Sequence, residues 1–202
     1  MRLMGDRVVL RGQAVTSLRG EFIDPKEPSG AGRRSQKTLA NLRIAVAQDV
    51  PAITDIYNYE IETSTSTFDT EPLSVENRGD WLADHDPQRH PVIVAEQEGV
   101  VVGWASLSAW SGRCAYARAA EVSVYVHRDH RGRGHGRALL GEMIGRGRAV
   151  GLGVLLARIV SPDGRTSVRL HEAAGFRPVG TMHRVGEKFG RILDVVVMER
   201  DL

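Results

Sequence analysis

The sequence predicts an α/β domain built on one mixed central sheet, with two helices before the middle of the sheet and two after it. Segments of alternating or continuous apolar residues are interleaved with segments whose apolar residues recur at helical spacing. Residues 153–160 are almost wholly apolar, as expected for a strand that is covered on both faces. The chain contains no internal repeat.

The first half of the chain predicts one strand and two helices. Apolar residues alternate in segment 42–46, which is typical of a short strand. Asp49 is placed to cap a helix with Pro51 in its first turn, and apolar residues follow at helical spacing at positions 53, 56, 57 and 61. The polar, β-branched segment 64–69 predicts a loop, after which Ser74 is placed to cap a second helix.

The second half predicts a hairpin, two more helices and four more strands. Glu98 and Gly99 form a turn between two apolar segments, and Gly175 is suited to the left-handed position after a helix. The predicted strands are 91–95, 100–107, 119–126, 153–160, 176–182 and 192–198, and the predicted helices are 137–150 and 166–174.

Composition excludes several classes of protein. The chain has 202 residues, a formal net charge of +2 and one cysteine, Cys114. It therefore has no strong field for nucleic acid or anionic membrane, no intrachain disulfide and no multi-cysteine metal site. No apolar run approaches the ~20 residues of a membrane span. We expect a soluble, cytoplasmic, globular protein without a metal, a nucleic-acid partner or a membrane partner.

The first 40 residues differ from the rest of the chain in their sequence pattern and charge. They lack sustained periodicity, and residues 1–38 hold eight Lys and Arg against four Asp and Glu. We expect residues 1–40 to be a flexible, solvated extension and residues 41–202 to be the folded domain. The basic residues could also steer an acidic partner.

Residues 121–137 carry the most informative motif, a strand that runs into a glycine-rich turn and then a helix. The first amides of a helix lack internal acceptors, and the helix dipole favours an anion there, so a phosphate is the natural ligand. Arg131, Arg133 and Arg137 add positive charge. Neither the P-loop pattern nor the dinucleotide fingerprint is complete. The alternative is an ordinary turn rich in glycine and arginine.

The motif Arg131-x-x-Gly134-x-Gly136 resembles the pyrophosphate loop of the GNAT N-acetyltransferase superfamily. Across roughly residues 42–200 the chain is similar to one branch, the phosphinothricin and methionine sulfoximine acetyltransferases. The matching segments are 52–58, 66–68, 91–92, 121–127, 170–172, 175–176 and 186–194. The resemblance implies the GNAT fold, acetyl-CoA as co-substrate, a small amine as acceptor and a homodimer.

The resemblance also implies a coenzyme site between strands 119–126 and 153–160, which would splay apart to admit pantetheine. Backbone groups of Val124, Tyr125 and Val126 would bind pantetheine and could donate to the thioester oxygen. Ser167 and His171 would lie beside the coenzyme, His171 as a packing residue, a hydrogen-bond donor or an acid. The diphosphate would contact Arg131, Gly132, Arg133, Gly134, His135, Gly136 and Arg137.

Glu121 is the candidate catalytic residue. A carboxylate within a mostly apolar strand is costly unless it has a partner or a purpose. The resemblance gives it the role of general base, which removes a proton from the attacking amine directly or through water. The alternative is a structural ion pair, for instance with Arg118, or a buried water.

Residues in three segments are candidates for the acceptor site. By resemblance these are Thr67 and Phe68, Tyr116 and Arg118, and Lys188 and Phe189. The last pair would close the pocket, either of its own subunit or of a second one. For each of them, loop packing is the alternative.

Two positions depart from the pattern of the branch. Gly164 stands where the branch has an asparagine, so that an asparagine contact to the coenzyme is lost or passes to Asp163. Arg118 is displaced by one position, which changes the face of the strand to which it belongs.

The sequence therefore predicts an N-acetyltransferase that acts on phosphinothricin, methionine sulfoximine or methionine sulfone by direct attack of the amine. Two alternatives stay open. One is acetylation of a protein N-terminus or an antibiotic amine, and the other is a non-catalytic CoA-binding module.

Overall fold

The computed structural model describes residues 40–202, which form a seven-stranded mixed sheet with helices on both faces. The strands run β1 Asn41–Ile44, β2 Val92–Gln97, β3 Val100–Ala109, β4 Ala119–Val126, β5 Val154–Ser161, β6 Arg177–Lys188 and β7 Arg191–Asp201. The helices are α1 Val50–Thr63, α2 Val75–Ala83, α3 His135–Ala149 and α4 Arg165–Ala173. The predicted mixed α/β class is thereby confirmed. The predicted extension, apart from residue 40, lies outside the described residues.

The strand order in the sheet is β1-β2-β3-β4-β5-β7-β6. All neighbouring strands are antiparallel except β4 and β5, which are parallel. β4 and β5 pair only from Ala119 to Glu121 and then separate, although β4 continues to Val126 along β3. The predicted splay of two parallel strands is therefore present, and it begins at Glu121.

The two faces of the sheet are covered by different pairs of helices. On one face, Ile53 and Ile56 of α1 pack with Val92, Val94 and Trp104 of β2 and β3. On the other face, α3 packs against residues of the same strands that point the opposite way, including Ile93, Ala95 and Val102. The alternation of neighbouring strand residues between two cores follows from the period of two in a strand.

Local sequence signals account for the ends of most elements. Ser74 Oγ accepts from the amide of Asn77 at the start of α2, as predicted. Gly175 follows α4 with a φ of +83°, also as predicted. Asp49 stands at the predicted N-cap position of α1, with Pro51 in the first turn. Its side chain does not cap α1, because its carboxylate binds the guanidinium of Arg43 and the amide of Val46 instead.

β6 extends six residues beyond its predicted end. The pairing of β6 with β7 shifts register between Met182 and Gly186, and Arg184 has a φ of +57°. Such a bulge interrupts the period-two pattern from which the sequence locates strands. Among residues 40–202, every helix falls short of the length and apolar character that a membrane span requires.

Candidate active site

The coenzyme loop, residues 127–134, joins the end of β4 to the start of α3. Gly132 has a φ of +72° and Gly134, the residue before the first helical turn, has a φ of +94°. Other L-amino acids rarely adopt these conformations, so both glycines are required by the path of the backbone. The amides of Gly136 and Arg137 lie in the first turn of α3, which offers them no acceptor within the helix. This geometry suits an anion at the start of α3.

The three arginines of the motif have different environments. Arg131 donates from Nε to the carbonyl of Val126 and forms an ion pair with Glu60. Arg133 donates to the carbonyl of Asp129 at 2.8 Å, within the loop. Arg137 is exposed and makes no ion pair with any residue that the structure describes. Arg131 and Arg133 therefore brace the loop, and Arg137 is available to a ligand.

The edge of β4 beyond Glu121 fits an extended, hydrogen-bonding ligand. Val124 and Val126 pair with Ala105 and Gly103 of β3 on one side, while on the other side β5 has moved away. Backbone groups on that side lack a partner in the ladder. Tyr125 is stacked on Trp104 with ring centroids 4.7 Å apart, so its side chain belongs to the core.

Glu121 lies at the last residue pair before the strands separate. Its two carboxylate oxygens accept from Nε and Nη2 of Arg158 at 2.7 and 2.5 Å. Arg158 stands on β5, and its guanidinium lies 5.8 Å from the ring of Trp110. The hydrogen bonds that Arg158 donates to Glu121 raise the pKa of Arg158, which stays charged. The carboxylate of Glu121 is thus held at the point where β4 and β5 separate.

Glu121 does form an ion pair, the alternative considered from the sequence, but its partner is Arg158 and not Arg118. The guanidinium of Arg118 lies against Gly153, where an added Cβ would be 3.0 Å from its Nη2. The backbone carbonyl of Arg118 accepts from the amides of Gly153 and Val154. Arg118 therefore joins the starts of β4 and β5, and Arg158, which sequence reasoning missed, takes the place beside Glu121.

The acceptor loop, residues 64–69, connects α1 to the segment before α2. Thr67 is buried, and its Oγ1 lies 2.7 Å from the hydroxyl of Tyr57, which also donates to Asp69. Burial raises the pKa of Tyr57, so this hydroxyl keeps its proton. Phe68 is partly exposed, and its ring covers Gly186 of β6. Phe68 is placed to form a wall, whereas Thr67 fixes the loop.

Lys188 lies beneath the acceptor loop rather than at its surface. Only 3% of the residue is exposed, and Nζ donates to the carbonyl of Thr67 at 2.9 Å. Burial lowers the pKa of Lys188. Phe189 is 56% exposed in the turn between β6 and β7. Of this predicted pair, Phe189 is accessible to a ligand or another subunit, and Lys188 supports Thr67.

Tyr116 lines a shallow cavity at the start of β4. The cavity is also lined by Arg89, His90, Arg113 and Cys114. Burial and the charge of Arg89 lower the pKa of His90, and Arg89 donates to the carbonyl of Ala117. Two arginines in one cavity suit an anionic group, such as a carboxylate.

Ser167 and His171 are one helical turn apart on α4. His171 is buried, its Nδ1 lies 2.8 Å from the carbonyl of Ser167, and its ring meets Phe176 edge to face. Its Nε2 is buried without a hydrogen-bond partner among the described residues. Burial lowers the pKa of His171, which is therefore neutral at pH 7. The predicted packing role accounts for these contacts.

Steric crowding accounts for the glycine at position 164, where the branch has an asparagine. A Cβ on Gly164 would lie 2.4 Å from both the side chain of Ile159 and the carbonyl of Val160, so no asparagine fits there without a shift of the backbone. Asp163 binds Thr65 and Arg191 at 3.0 and 2.8 Å. Its carboxylate is thus occupied within the protein, and it ties the acceptor loop to β7.

Three further residues shape this region, although sequence reasoning assigned none of them a role in the site. Glu60, Arg158 and Gly186 contact the coenzyme loop, Glu121 and Phe68, respectively. Charged residues on a helix or an edge usually face solvent, so only the fold reveals these contacts. Residues 40–202 contain no group of three or more His, Cys, Asp or Glu that could hold a metal ion.

Residues 53–176 match the sequence profile of the Acetyltransferase (GNAT) family. The chain belongs to this family. This GNAT protein is similar to the L-methionine sulfoximine/L-methionine sulfone acetyltransferase of Salmonella typhimurium, with 37% identity over 161 residues, 80% of this chain and 94% of that protein. The phosphinothricin N-acetyltransferase of Streptomyces viridochromogenes is 40% identical, over 82% of this chain and 90% of that protein.

Solved structures agree with this assignment. A putative acetyltransferase from Salmonella typhimurium, solved with its cofactor acetyl-CoA, superposes with a TM-score of 0.78 at 37% identity. The match covers 81% of this chain and 94% of that one. The predicted GNAT fold and acetyltransferase activity are confirmed, and the chain is an enzyme of this family.

Proposed function

We propose that this GNAT acetyltransferase transfers an acetyl group from acetyl-CoA to the free amine of a small amino-acid-like acceptor. Methionine sulfoximine, methionine sulfone and phosphinothricin are the proposed acceptors, because relatives at 37–40% identity are named for these compounds. The observation that carries the proposal is the position of Glu121. It lies at the residue where β4 and β5 part, with its carboxylate held by Arg158.

The coenzyme site is proposed from the chain's own geometry. The amides of Gly136 and Arg137 in the first turn of α3, together with the Arg137 side chain, would hold the diphosphate, and the edge of β4 from Val122 to Val126, which β5 does not cover, would hold pantetheine. Gly132 and Gly134 give the loop its shape. When bound, the coenzyme supplies the activated acetyl thioester.

Glu121 is proposed as the general base. An acceptor α-amino group has a pKa of about 7.7–8.0 and is largely protonated at pH 7, so it must lose a proton before it can attack. Glu121 takes that proton directly or through water, and the neutral amine then forms the new bond to the acetyl carbon as the thiol leaves. Arg158 orients the carboxylate through two hydrogen bonds. No covalent enzyme intermediate is needed, which leaves Cys114 without a catalytic role.

The acceptor is proposed to lie between the acceptor loop and the start of β4. Phe68 would pack against its apolar part, and the cavity with Arg89, Arg113 and Tyr116 would take its carboxylate. Phe189 is proposed to close the site. This arrangement favours a small zwitterion over a peptide, since a peptide's first residue carries no free carboxylate.

A homodimer is also proposed. β6 is an edge strand, and its hairpin with β7 exposes apolar side chains, among them Val179, Val185, Phe189 and Ile192. Contiguous apolar surface of this kind is typical of protein interfaces. Sedimentation of the wild-type protein at twice the monomer mass supports the dimer, and a monomer at micromolar concentration contradicts it. A cytoplasmic location stays a prediction.

Replacement of the proposed base tests the chemistry. Glu121→Gln is expected to lower kcat by about 10²-fold or more, since general-base catalysis contributes roughly 10²–10⁴-fold, and to shift the pH dependence of turnover upward. Thiol release is measured with methionine sulfone, phosphinothricin and a short peptide. CoA affinity, measured by calorimetry, is expected to change less than threefold.

Glu172→Gln is the matched control, because Glu172 is exposed on α4 and away from β4. It should turn over at the wild-type rate. A normal rate for Glu121→Gln removes Glu121 from the mechanism. Turnover with the peptide but not the amino-acid analogues favours N-terminal acetylation, and CoA binding without any turnover favours a binding module.

A further inference from the structure

Glu60 is a buried carboxylate between the coenzyme loop and the acceptor loop. It lies in the last turn of α1 and is only 5% exposed. One carboxylate oxygen accepts from Arg131, and the other accepts from the hydroxyl of Ser64 at 2.6 Å. A buried carboxylate is costly without partners, so both contacts are needed to hold it.

On the coenzyme side, Glu60 acts through Arg131. The same guanidinium that pairs with Glu60 also donates from Nε to the carbonyl of Val126, the last residue of β4. Arg131 is the residue immediately before Gly132. The ion pair therefore fixes the start of the glycine-rich turn against α1.

On the acceptor side, Glu60 acts through Ser64 and Lys188. Ser64 Oγ accepts from the amide of Ser66, and its own amide donates to the carbonyl of Glu60. Lys188 Nζ lies 3.5 Å from that carbonyl and 2.9 Å from the carbonyl of Thr67. Ser64, Ser66 and Thr67 of the acceptor loop are thus anchored around one glutamate.

We propose that Glu60 is a positioning residue that couples coenzyme binding to acceptor binding. The inference rests on the proposed function, which places the two ligands at these two loops. A ligand that orders one loop also fixes Glu60, so the second loop loses less conformational freedom when its own ligand binds. The coupling is reciprocal, and each ligand raises the affinity for the other.

The coupling is measured by calorimetric titration of CoA with and without saturating methionine sulfone. CoA carries no acetyl group, so this pair of ligands cannot react. In the wild-type protein the sulfone is expected to tighten CoA binding about five- to tenfold, which is a typical allosteric coupling. In Glu60→Gln, CoA alone should bind about fivefold more weakly. The ratio of CoA affinities with and without the sulfone should fall to about one, so that the sulfone no longer tightens CoA binding. The KM for the acceptor should rise, while kcat changes less than threefold.

Asp55→Asn is the matched control. Asp55 lies on the same helix and is exposed, and its carboxylate is 4.0 Å from Arg128 of the coenzyme loop. The variant therefore removes the same charge without changing the contacts of Glu60 with Arg131 and Ser64. It should keep the wild-type affinity and coupling. Ser64→Ala, which removes only the acceptor-side contact, should keep CoA affinity and lose the coupling, and it serves if Glu60→Gln does not fold.

Two results overturn the inference. One is a wild-type protein that binds CoA and turns over, yet shows no tightening by the acceptor. The other is a Glu60→Gln or Ser64→Ala variant that keeps the wild-type tightening. Failure of the proposed function is different, because the wild-type protein would then lack CoA affinity or turnover altogether.

Discussion

Burial controls the charge of several side chains around the site. His171 is 4% exposed, its Nδ1 is bonded to the carbonyl of Ser167, and its Nε2 has no partner among residues 40–202. Burial lowers its pKa below the usual 6.5, so the native protein holds it neutral. The residue supports the packing of α4 without carrying charge.

Because His171 is held neutral in the folded protein, folding stability depends on pH. Because the pKa of His171 is lower in the folded than in the unfolded chain, the unfolded chain binds the proton more readily below pH 6.5. The free energy of unfolding should therefore fall as the pH drops from 6.5. His171→Asn should reduce the difference in this free energy between pH 7.5 and 5.5 by about 1 kcal/mol, measured by urea denaturation.

His183→Asn provides the comparison for His171→Asn. His183 is exposed on β6, and it contacts the carboxylate of Asp194. Its replacement should not change the decrease in the free energy of unfolding that His171 causes between pH 7.5 and 5.5. If His171→Asn shows the same pH dependence as the wild-type protein, burial of a neutral His171 is wrong.

Arg78 is a buried cation that packs against aromatic rings of the core. It is 4% exposed, and its guanidinium lies 4.1 Å from the ring centre of Tyr57 and 4.6 Å from that of Trp81. Contacts with aromatic faces offset part of the cost of burying the charge. Burial nevertheless lowers the pKa of Arg78. Through Tyr57, which bonds Thr67, this cluster supports the acceptor loop from the side of α2.

At the scale of elements, β6 forms the base of the acceptor loop. Gly186 and Lys188 are two residues apart and so share a face of the strand. The ring of Phe68 rests on Gly186, and Nζ of Lys188 holds the carbonyl of Thr67. The bulge between Met182 and Gly186 sets the register of both contacts.

Gly186→Ala should displace the wall of the acceptor site. The new Cβ would lie 2.3 Å from Cε2 of Phe68, so the ring must move. The KM for methionine sulfone is expected to rise about tenfold, equivalent to about 1.4 kcal/mol, while CoA affinity stays within twofold. Steady-state kinetics and calorimetry measure the two quantities.

Gly180→Ala is the matched substitution on the same strand, because an added Cβ there meets no atom within 4 Å. It should leave the KM unchanged. An unaltered KM in Gly186→Ala would show that Phe68 does not form the acceptor wall.

At the scale of the whole molecule, we propose that residues 41–202 contain the complete acetyltransferase domain. The seven strands and four helices lie within residues 40–202, and the relatives reported above align with 80–82% of the chain. Every residue of the proposed site is in this part.

Removal of residues 1–38 should leave kcat and the KM values within twofold of those of the full chain, since these residues contribute nothing to the proposed chemistry. The measurement is steady-state turnover of both proteins with methionine sulfone. Loss of most of the activity would show that the first segment belongs to the fold.

The sequence alone determined the element order and the glycine-rich turn between β4 and α3, and it predicted Glu121 as the catalytic base. These features depend on local rules: apolar periodicity marks strands and helices, glycines permit left-handed backbone at the loop, and a carboxylate in an apolar strand is conspicuous. The resemblance of short segments to one family branch added the chemistry.

The tertiary structure decided which side chains meet. Arg158 reaches Glu121 from 37 residues away, and Arg131 reaches Glu60 from 71 residues away. The register shift in β6 places Gly186 under Phe68, and a crowded backbone excludes a side chain at residue 164. Such contacts depend on sheet order, strand register and steric fit between distant segments, which no local pattern of residues encodes.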